Sequence, residues 1–183
     1  MFIQTEGTPN PATIKFLPGC SVMGGGAANF ADAESAGRSP LALRLFEIEG
    51  VSGVFLGGDF ITVTKSDDKN WNVLKPLILS AIMDHFTSCK LVIEEGAEIV
   101  GSGDDDPIVA RIKEILDTRV RPAVAQDGGD ITFHDFADGI VYLHMHGACS
   151  GCPSASMTLK HGVENMLRHY IPEVTEVRSV DDM

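Results

Sequence analysis

The chain has 183 residues, of which 44% are hydrophobic and 22% charged, a composition typical of a folded globular protein. Its formal net charge of -12, without a basic patch, argues against nucleic acid and anionic membrane as partners. No stretch approaches the ~18 apolar residues that a membrane span needs, and residues 1–6 lack the basic flank and apolar core of a secretory signal.

The first half of the sequence predicts a small α+β domain over residues 1–95. Ser39-Pro40 is typical of a helix start, because serine can cap the helix and proline suits its first turn. A second amphipathic helix is predicted over residues 70–86, although it contains Pro76. The other predicted elements are strands at residues 1–5 and 13–17, a long loop at 19–37, a hairpin at 51–64 and a closing strand at 91–94.

Residues 96–106 are rich in glycine, serine and aspartate, which predicts a flexible linker. A second domain is then predicted over residues 107–183, with the order α-β-β-α-β. Asp106-Pro107 starts its first helix and Pro122 ends it. An antiparallel pair follows at 131–136 and 140–146, then a helix after residue 152 and a last strand at 174–177. We therefore expect an α+β protein of two small sandwich-like domains.

Cys149 and Cys152 carry the most informative chemistry of the chain. Two thiols at this spacing can hold one edge of a metal centre or close a redox disulfide. Gly147 and Gly151 permit the backbone to turn around the sulfurs. The helix that follows directs its positive end toward the loop, so we expect it to lower the pKa of these thiols.

Two thiolates are only half of a four-ligand site. The missing ligands could come from Cys20 and Cys89, from His144 or His146, or from a second copy of the chain. The symmetric solution is the simplest, because two copies that each donate Cys149 and Cys152 complete the site on a two-fold axis. We interpret Cys20 and Cys89 as small buried residues and the two histidines as part of a polar strand face.

Two other functions use the same motif. Cys149 could be the nucleophile of a thiol–disulfide oxidoreductase, although the predicted element order differs from that of thioredoxin. A structural or zinc-storing protein is a third possibility. With four cysteines in all and no disulfide framework, we expect a reducing compartment: the cytosol, or the mitochondrial matrix if the chain is a processed eukaryotic protein.

The sequence resembles the Nfu and NifU-like proteins in both halves. The N-terminal half resembles the N-terminal Nfu domain, and the C-terminal half resembles the NifU-like domain. The matching segments are residues 1–6, 8–13, 15–19, 121–123, 127–130 and 147–154. The segments occur in the order that the family uses, and the two domains that they mark together cover nearly the whole chain.

This resemblance implies a carrier of iron–sulfur clusters and not an enzyme. It implies that Cys149 and Cys152 of two subunits bind one cluster, usually [4Fe–4S], and that the cluster passes to apoprotein recipients. Upstream cluster-assembly proteins would be the other partners. Nothing in the motif extends to Cys20 or Cys89. The chain lacks the desulfurase-binding scaffold domain of full-length NifU, which favours a late-acting carrier.

Overall fold

The computed structural model describes residues 2–23, 26–88, 90–93, 106–150 and 153–180. The chain divides into two compact units, Met1–Ile99 and Val100–Met183. Each unit has its own sheet and its own buried core, which confirms the predicted α+β class. No helix in the described ranges is long and apolar enough to cross a bilayer. Of the predicted linker only Asp106 is described, so the domain boundaries at residues 95 and 107 stay predictions.

The first unit is built on a five-stranded antiparallel sheet with the order β1-β2-β5-β4-β3. The hairpin predicted at residues 51–64 is confirmed as β4 and β5, in which Val54 pairs with Val63 and Leu56 with Ile61. The strands are β1 (Gln4–Gly7), β2 (Thr13–Leu17), β3 (Ala28–Phe30), β4 (Val51–Leu56) and β5 (Ile61–Lys65).

Two predicted helices of this unit are confirmed, and a side chain caps each of them. Ser39 Oγ accepts a hydrogen bond from the amide of Ala42 at 3.1 Å and begins α1 (Pro40–Phe46). Asn70 caps α2 (Trp71–Thr87) in the same way, and Pro76 is accommodated inside this helix. Both helices bury apolar side chains against the sheet: Leu41, Ala42, Leu45, Leu74, Ile78, Ala81 and Ile82.

Two predictions for this unit are wrong, and the strand predicted at residues 1–5 lies at Gln4–Gly7 instead. The segment predicted as a loop at residues 19–37 contains β3 and a short 3₁₀ turn, Ser35–Arg38. Residues 91–93 do not form the predicted strand, and the carbonyl of Val92 instead accepts a hydrogen bond from Ser39 Oγ at 2.5 Å. Glu94, the last residue of that predicted strand, lies outside the described residues.

The second unit begins with a helix that continues past its predicted end. Asp106 caps α3 (Pro107–Ile115) by accepting a hydrogen bond from the amide of Ile108 at 3.0 Å. The chain then makes a π-helical turn, Leu116–Val120, and continues as α4 (Arg121–Gln126). Pro122 was predicted to end the helix, and this is wrong. The change of helical geometry makes Pro122 a first-turn residue of α4, where a proline is tolerated.

The predicted antiparallel pair is confirmed as β6 (Gly129–Ala137) and β7 (Ile140–Gly147). Asp138 and Gly139 connect them with φ values of +52° and +78°, as a tight two-residue hairpin turn requires. Val141, Leu143 and Met145 are buried on one face of β7, as the alternation predicted. Tyr142, His144 and His146 are half-buried on the other face.

β6 contains a bulge that the sequence explains. Phe133 pairs with Leu143 and Asp135 with Tyr142, so His134 is an extra residue between them. Phe136 then pairs with Val141. Phe133 and Phe136 are three positions apart, whereas Leu143 and Val141 are two apart. The bulge therefore lets both phenylalanine rings pack against the same core.

The remaining elements complete a helix-covered sheet of three strands, in the order β6-β7-β8. The predicted helix after the thiol loop is confirmed as α5 (Pro153–Tyr170). The last strand, β8 (Glu176–Ser179), starts two residues later than predicted and runs parallel to β7. The core of this unit includes Ile112, Leu116, Val120, Ile131, Val141, Leu143, Cys149, Val163, Leu167 and Val177.

Candidate metal centre

Cys149 lies in the loop that follows β7, beside the beginning of β6. Gly147 ends β7 with a φ of +64°, and its carbonyl accepts a hydrogen bond from the amide of Ser150 at 3.1 Å. The amide of Ala148 donates to the carbonyl of Gly128 at 3.2 Å. The loop that carries Cys149 is thus fastened to the turn that opens β6. Cys152 lies outside the described residues, and α5 begins at the residue after it.

Gly129 leaves the space that Cys149 occupies. A Cβ atom at position 129 would overlap Cys149 Sγ. It would also lie 2.9 Å from the carbonyl oxygen of His146 and 3.1 Å from the amide nitrogen of Cys149, closer than real Cβ contacts normally are. The glycine at this position is therefore required by the close approach of the thiol to the backbone of β6.

An ion pair holds the same turn against α4. Arg121 donates from Nε and Nη2 to the two carboxylate oxygens of Asp130, both at 2.8 Å. Its Nη1 donates to Asp117 at 3.0 Å. Asp130 is 6% exposed and also accepts a hydrogen bond from the amide of Ile131. Because the fork of the guanidinium matches the carboxylate, this pair fixes the start of β6 to the start of α4.

The surroundings of Cys149 favour the neutral thiol. Cys149 is 5% exposed. Burial raises the pKa of its thiol from an ordinary value of 9.0 to about 12, and the negative charges of Asp127 and Asp130 act in the same direction. The expected lowering of the pKa by the following helix is therefore wrong for Cys149, since burial and the carboxylates act in the opposite direction. At neutral pH this thiol must lose a proton before it can bind a metal.

The raised pKa also bears on the oxidoreductase hypothesis. The thiolate is the attacking species in disulfide exchange, and a buried thiol with a pKa near 12 supplies very little of it at neutral pH. The burial of Cys149 and its raised pKa therefore argue against a nucleophilic role.

The other predicted candidates lie on other elements of the chain or outside the described residues. Cys20 is a free thiol of the first unit that is only half-buried, so its interpretation as a buried residue is wrong, and Cys89 is not described. His146 and His144 lie on the face of β7 opposite to its buried residues, as we interpreted them. Among the described residues, no three His, Cys, Asp or Glu side chains are positioned to hold one metal ion.

Sequence reasoning missed the positioning role of Arg121 and Asp130. The available signal was an arginine at a helical proline followed nine residues later by an aspartate, but only the fold shows that this aspartate is buried and needs a partner.

Comparison with known proteins matches both halves of the chain to one family. Residues 3–89 match the family described as "Scaffold protein Nfu/NifU N terminal", and residues 112–178 match the "NifU-like domain". The chain belongs to the Nfu/NifU family. Both Arg121 and the Cys149 loop lie within the NifU-like domain.

Relatives within the Nfu/NifU family extend over the whole chain. It is 53% identical over 185 residues to the human protein named "NFU1 iron-sulfur cluster scaffold homolog, mitochondrial", covering 100% of this chain and 73% of that protein. The Drosophila virilis protein of the same name is 52% identical over 186 residues, covering 100% and 62%. "NifU-like protein 4, mitochondrial" of Arabidopsis thaliana is 52% identical over 189 residues, covering 100% and 67%. The chain thus spans 62% to 73% of the length of these three relatives.

Proposed function

We propose that this protein binds a labile iron–sulfur cluster, of the [4Fe–4S] type, between two subunits and transfers it to apoprotein recipients. The family is one of scaffold proteins, which assigns it a binding role rather than catalysis, and relatives of this chain are named iron–sulfur cluster scaffolds. The observation that carries the proposal is the loop of Cys149, which Gly129 and the Arg121–Asp130 pair hold in place.

The number of donors supports a cluster shared between two chains. A [4Fe–4S] cluster is held by four cysteine thiolates, and the Cys149/Cys152 pair provides two. A two-fold pair of chains supplies Cys149 and Cys152 twice and completes it with equal contributions.

The state of Cys149 suits a protein that must release its cargo. Each cysteine that binds iron gives up its proton, because the metal stabilises the thiolate. Without a metal, burial and the carboxylates of Asp127 and Asp130 raise the pKa of Cys149, so loss of the cluster is coupled to the uptake of a proton by this thiol. A neutral thiol is also less readily oxidised than a thiolate.

Anaerobic reconstitution of the full chain tests this proposal. We expect close to four iron and four sulfide ions per two chains, a visible absorption band and a dimer in solution. C149S and C152S should each lose the band and the iron. C20S is the matched control, since Cys20 belongs to the other unit, and it should retain both.

Two results would contradict the proposal. Full cluster content in both C149S and C152S would exclude these residues as the ligands. A loaded protein that stays monomeric in light scattering would exclude a cluster shared between subunits.

The partners and the compartment follow from this function. The expected partners are a second copy of the chain, upstream cluster-assembly proteins and apo iron–sulfur proteins that receive the cluster. Relatives from animals and a plant are named mitochondrial, which favours the matrix over the cytosol for this chain. Transfer to a recipient can be followed by the activity that the recipient gains when mixed with the loaded protein.

A further inference from the structure

Three histidine side chains gather on the face of the β6–β7 hairpin that lies opposite to the core of the second unit. His144 Nε2 lies 3.1 Å from His134 Nδ1, and the two rings meet edge to face at a centroid distance of 4.7 Å. The ring of His146 stacks on that of His144 at a centroid distance of 6.0 Å and an angle of 19°. The His146 Nε2 atom lies 3.1 Å from Thr132 Oγ1, so this third ring is held in place by the neighbouring strand.

We propose that His134 and His144 form a binding site for a late first-row divalent cation such as Zn²⁺. This site is separate from the Cys149 site and does not depend on the proposed cluster function. Neutral imidazole nitrogens are common ligands of this class of metal ion.

The bulge in β6 is what brings the two rings together. Thr132 is the residue that pairs with His144 in the strand register, and His134 is the extra residue two positions later. Bulges redirect a side chain away from the regular alternation of a strand. Here the bulge places His134 against His144 while its neighbours Phe133 and Phe136 both reach the core.

The distance between the two nitrogens fits one metal ion. In a tetrahedral site with Zn–N bonds of 2.0–2.1 Å, the ligand nitrogens are about 3.3 Å apart. The observed separation of 3.1 Å is close to this value. The two nitrogens now form a hydrogen bond with each other, so binding requires the rings to turn until both lone pairs converge on the ion. His134 is exposed, which allows this rotation.

The ion can bind without any group having to remove a proton from the histidine pair. In the hydrogen-bonded pair one ring donates the proton and the other accepts it. When the ion binds, the donating ring moves its proton to its other nitrogen, and each neutral ring then offers one lone pair. Because no third protein ligand is positioned among the described residues, water completes the coordination.

The net charge of the chain favours a cation, and the nearest positive charge described on this face is balanced. The formal net charge of -12 attracts cations from solution. Arg178 lies opposite Tyr142 in the parallel pair of β7 and β8, and both its Nε and Nη2 atoms are engaged by the carboxylate of Glu176. Its positive charge is therefore balanced locally.

Zn²⁺ titration of the full chain by calorimetry tests the site, with C149A/C152A as the parent so that the paired thiols do not compete. We expect H134Q and H144Q each to weaken Zn²⁺ binding about tenfold or more, because each removes one of two ligands. H161Q is the matched control: His161 is exposed on α5 of the same unit, and its substitution should leave the affinity unchanged.

Nuclear magnetic resonance of the histidine rings in the same parent gives a second readout that needs no substitution at the site. Zn²⁺ should shift the ring signals of His134 and His144 before those of His161. The proposal is wrong if H134Q or H144Q binds Zn²⁺ as tightly as the parent. It is equally wrong if H161Q weakens binding as much as they do, or if all three ring signals shift together.

Discussion

Replacing Gly129 with alanine tests how the thiol loop is held. The new Cβ would overlap Cys149 Sγ and would crowd two backbone atoms, the carbonyl oxygen of His146 and the amide nitrogen of Cys149. Backbone atoms of paired strands cannot move aside as the end of a flexible side chain can, so the loop must shift. Forcing one extra methyl group into such a packed position should lower the free energy of unfolding by about 1–3 kcal/mol.

Urea unfolding can measure this loss in the second unit separately. Both tyrosines of the chain, Tyr142 and Tyr170, lie in the second unit, and its single tryptophan, Trp71, lies in the first. The G129A variant should therefore lower the urea midpoint of the tyrosine signal and leave that of the tryptophan signal in place.

Gly162→Ala provides the matched control. A Cβ at Gly162, inside α5, meets nothing within 4 Å. In a helix this change should raise the free energy of unfolding by about 1 kcal/mol, since alanine is the better helix former. If G129A unfolds at the same urea concentration as the parent, the packing argument for Gly129 is refuted.

Two further predictions concern the neighbours of this glycine. Arg121→Gln should lower the free energy of unfolding by about 2 kcal/mol, because it leaves the buried carboxylate of Asp130 without its charged partner. This loss is smaller than that of a fully buried ion pair, because the Arg121 side chain is 35% exposed. The tyrosine midpoint in urea measures this loss, and an unchanged midpoint would contradict it. Alkylation of Cys149 in the metal-free protein should accelerate about tenfold per pH unit from pH 8 toward 12, since the thiolate fraction rises with pH until the pKa of about 12 is reached. Mass spectrometry of the Cys149 peptide measures the rate, and a plateau near pH 9 would show that the pKa is not raised.

The elements that the sequence predicted best are those with local signals. Ser39 and Asp106 each stand directly before a proline, and each caps a helix in the structure. A capping side chain and the first-turn proline act within one turn of the chain, so neighbouring residues are enough to recognise them.

The predictions that fail are those in which residues distant in the sequence determine the local structure. Pro122 looked like a helix end because the sequence does not show the π-helical turn that precedes it. Residues 91–93 look like a strand by composition, but no strand of the described sheet pairs with them, and the carbonyl of Val92 accepts a hydrogen bond from Ser39 instead. β3 is only three residues long, too short for an alternating pattern to appear in the sequence.

The same contrast between neighbouring and distant residues applies to the candidate site. The position of Cys149 in a loop between a strand and a helix was predicted from adjacent residues. Its burial and its raised pKa were not, because they depend on Asp127, Asp130 and the core beneath the loop. The contact of His134 with His144 likewise requires the bulge, which shifts the register between two strands.

The π-helical turn Leu116–Val120 places a constraint on the length of the helical segment. Each residue of an α-helix rotates the chain by about 100°, so the wide turn changes which side chain after residue 120 faces the sheet. With the turn present, Arg121 faces Asp130. Deleting one residue there would restore regular helical spacing but rotate the guanidinium away from its carboxylate. Single-residue deletions in this turn should therefore be far less tolerated than substitutions at the exposed Thr118.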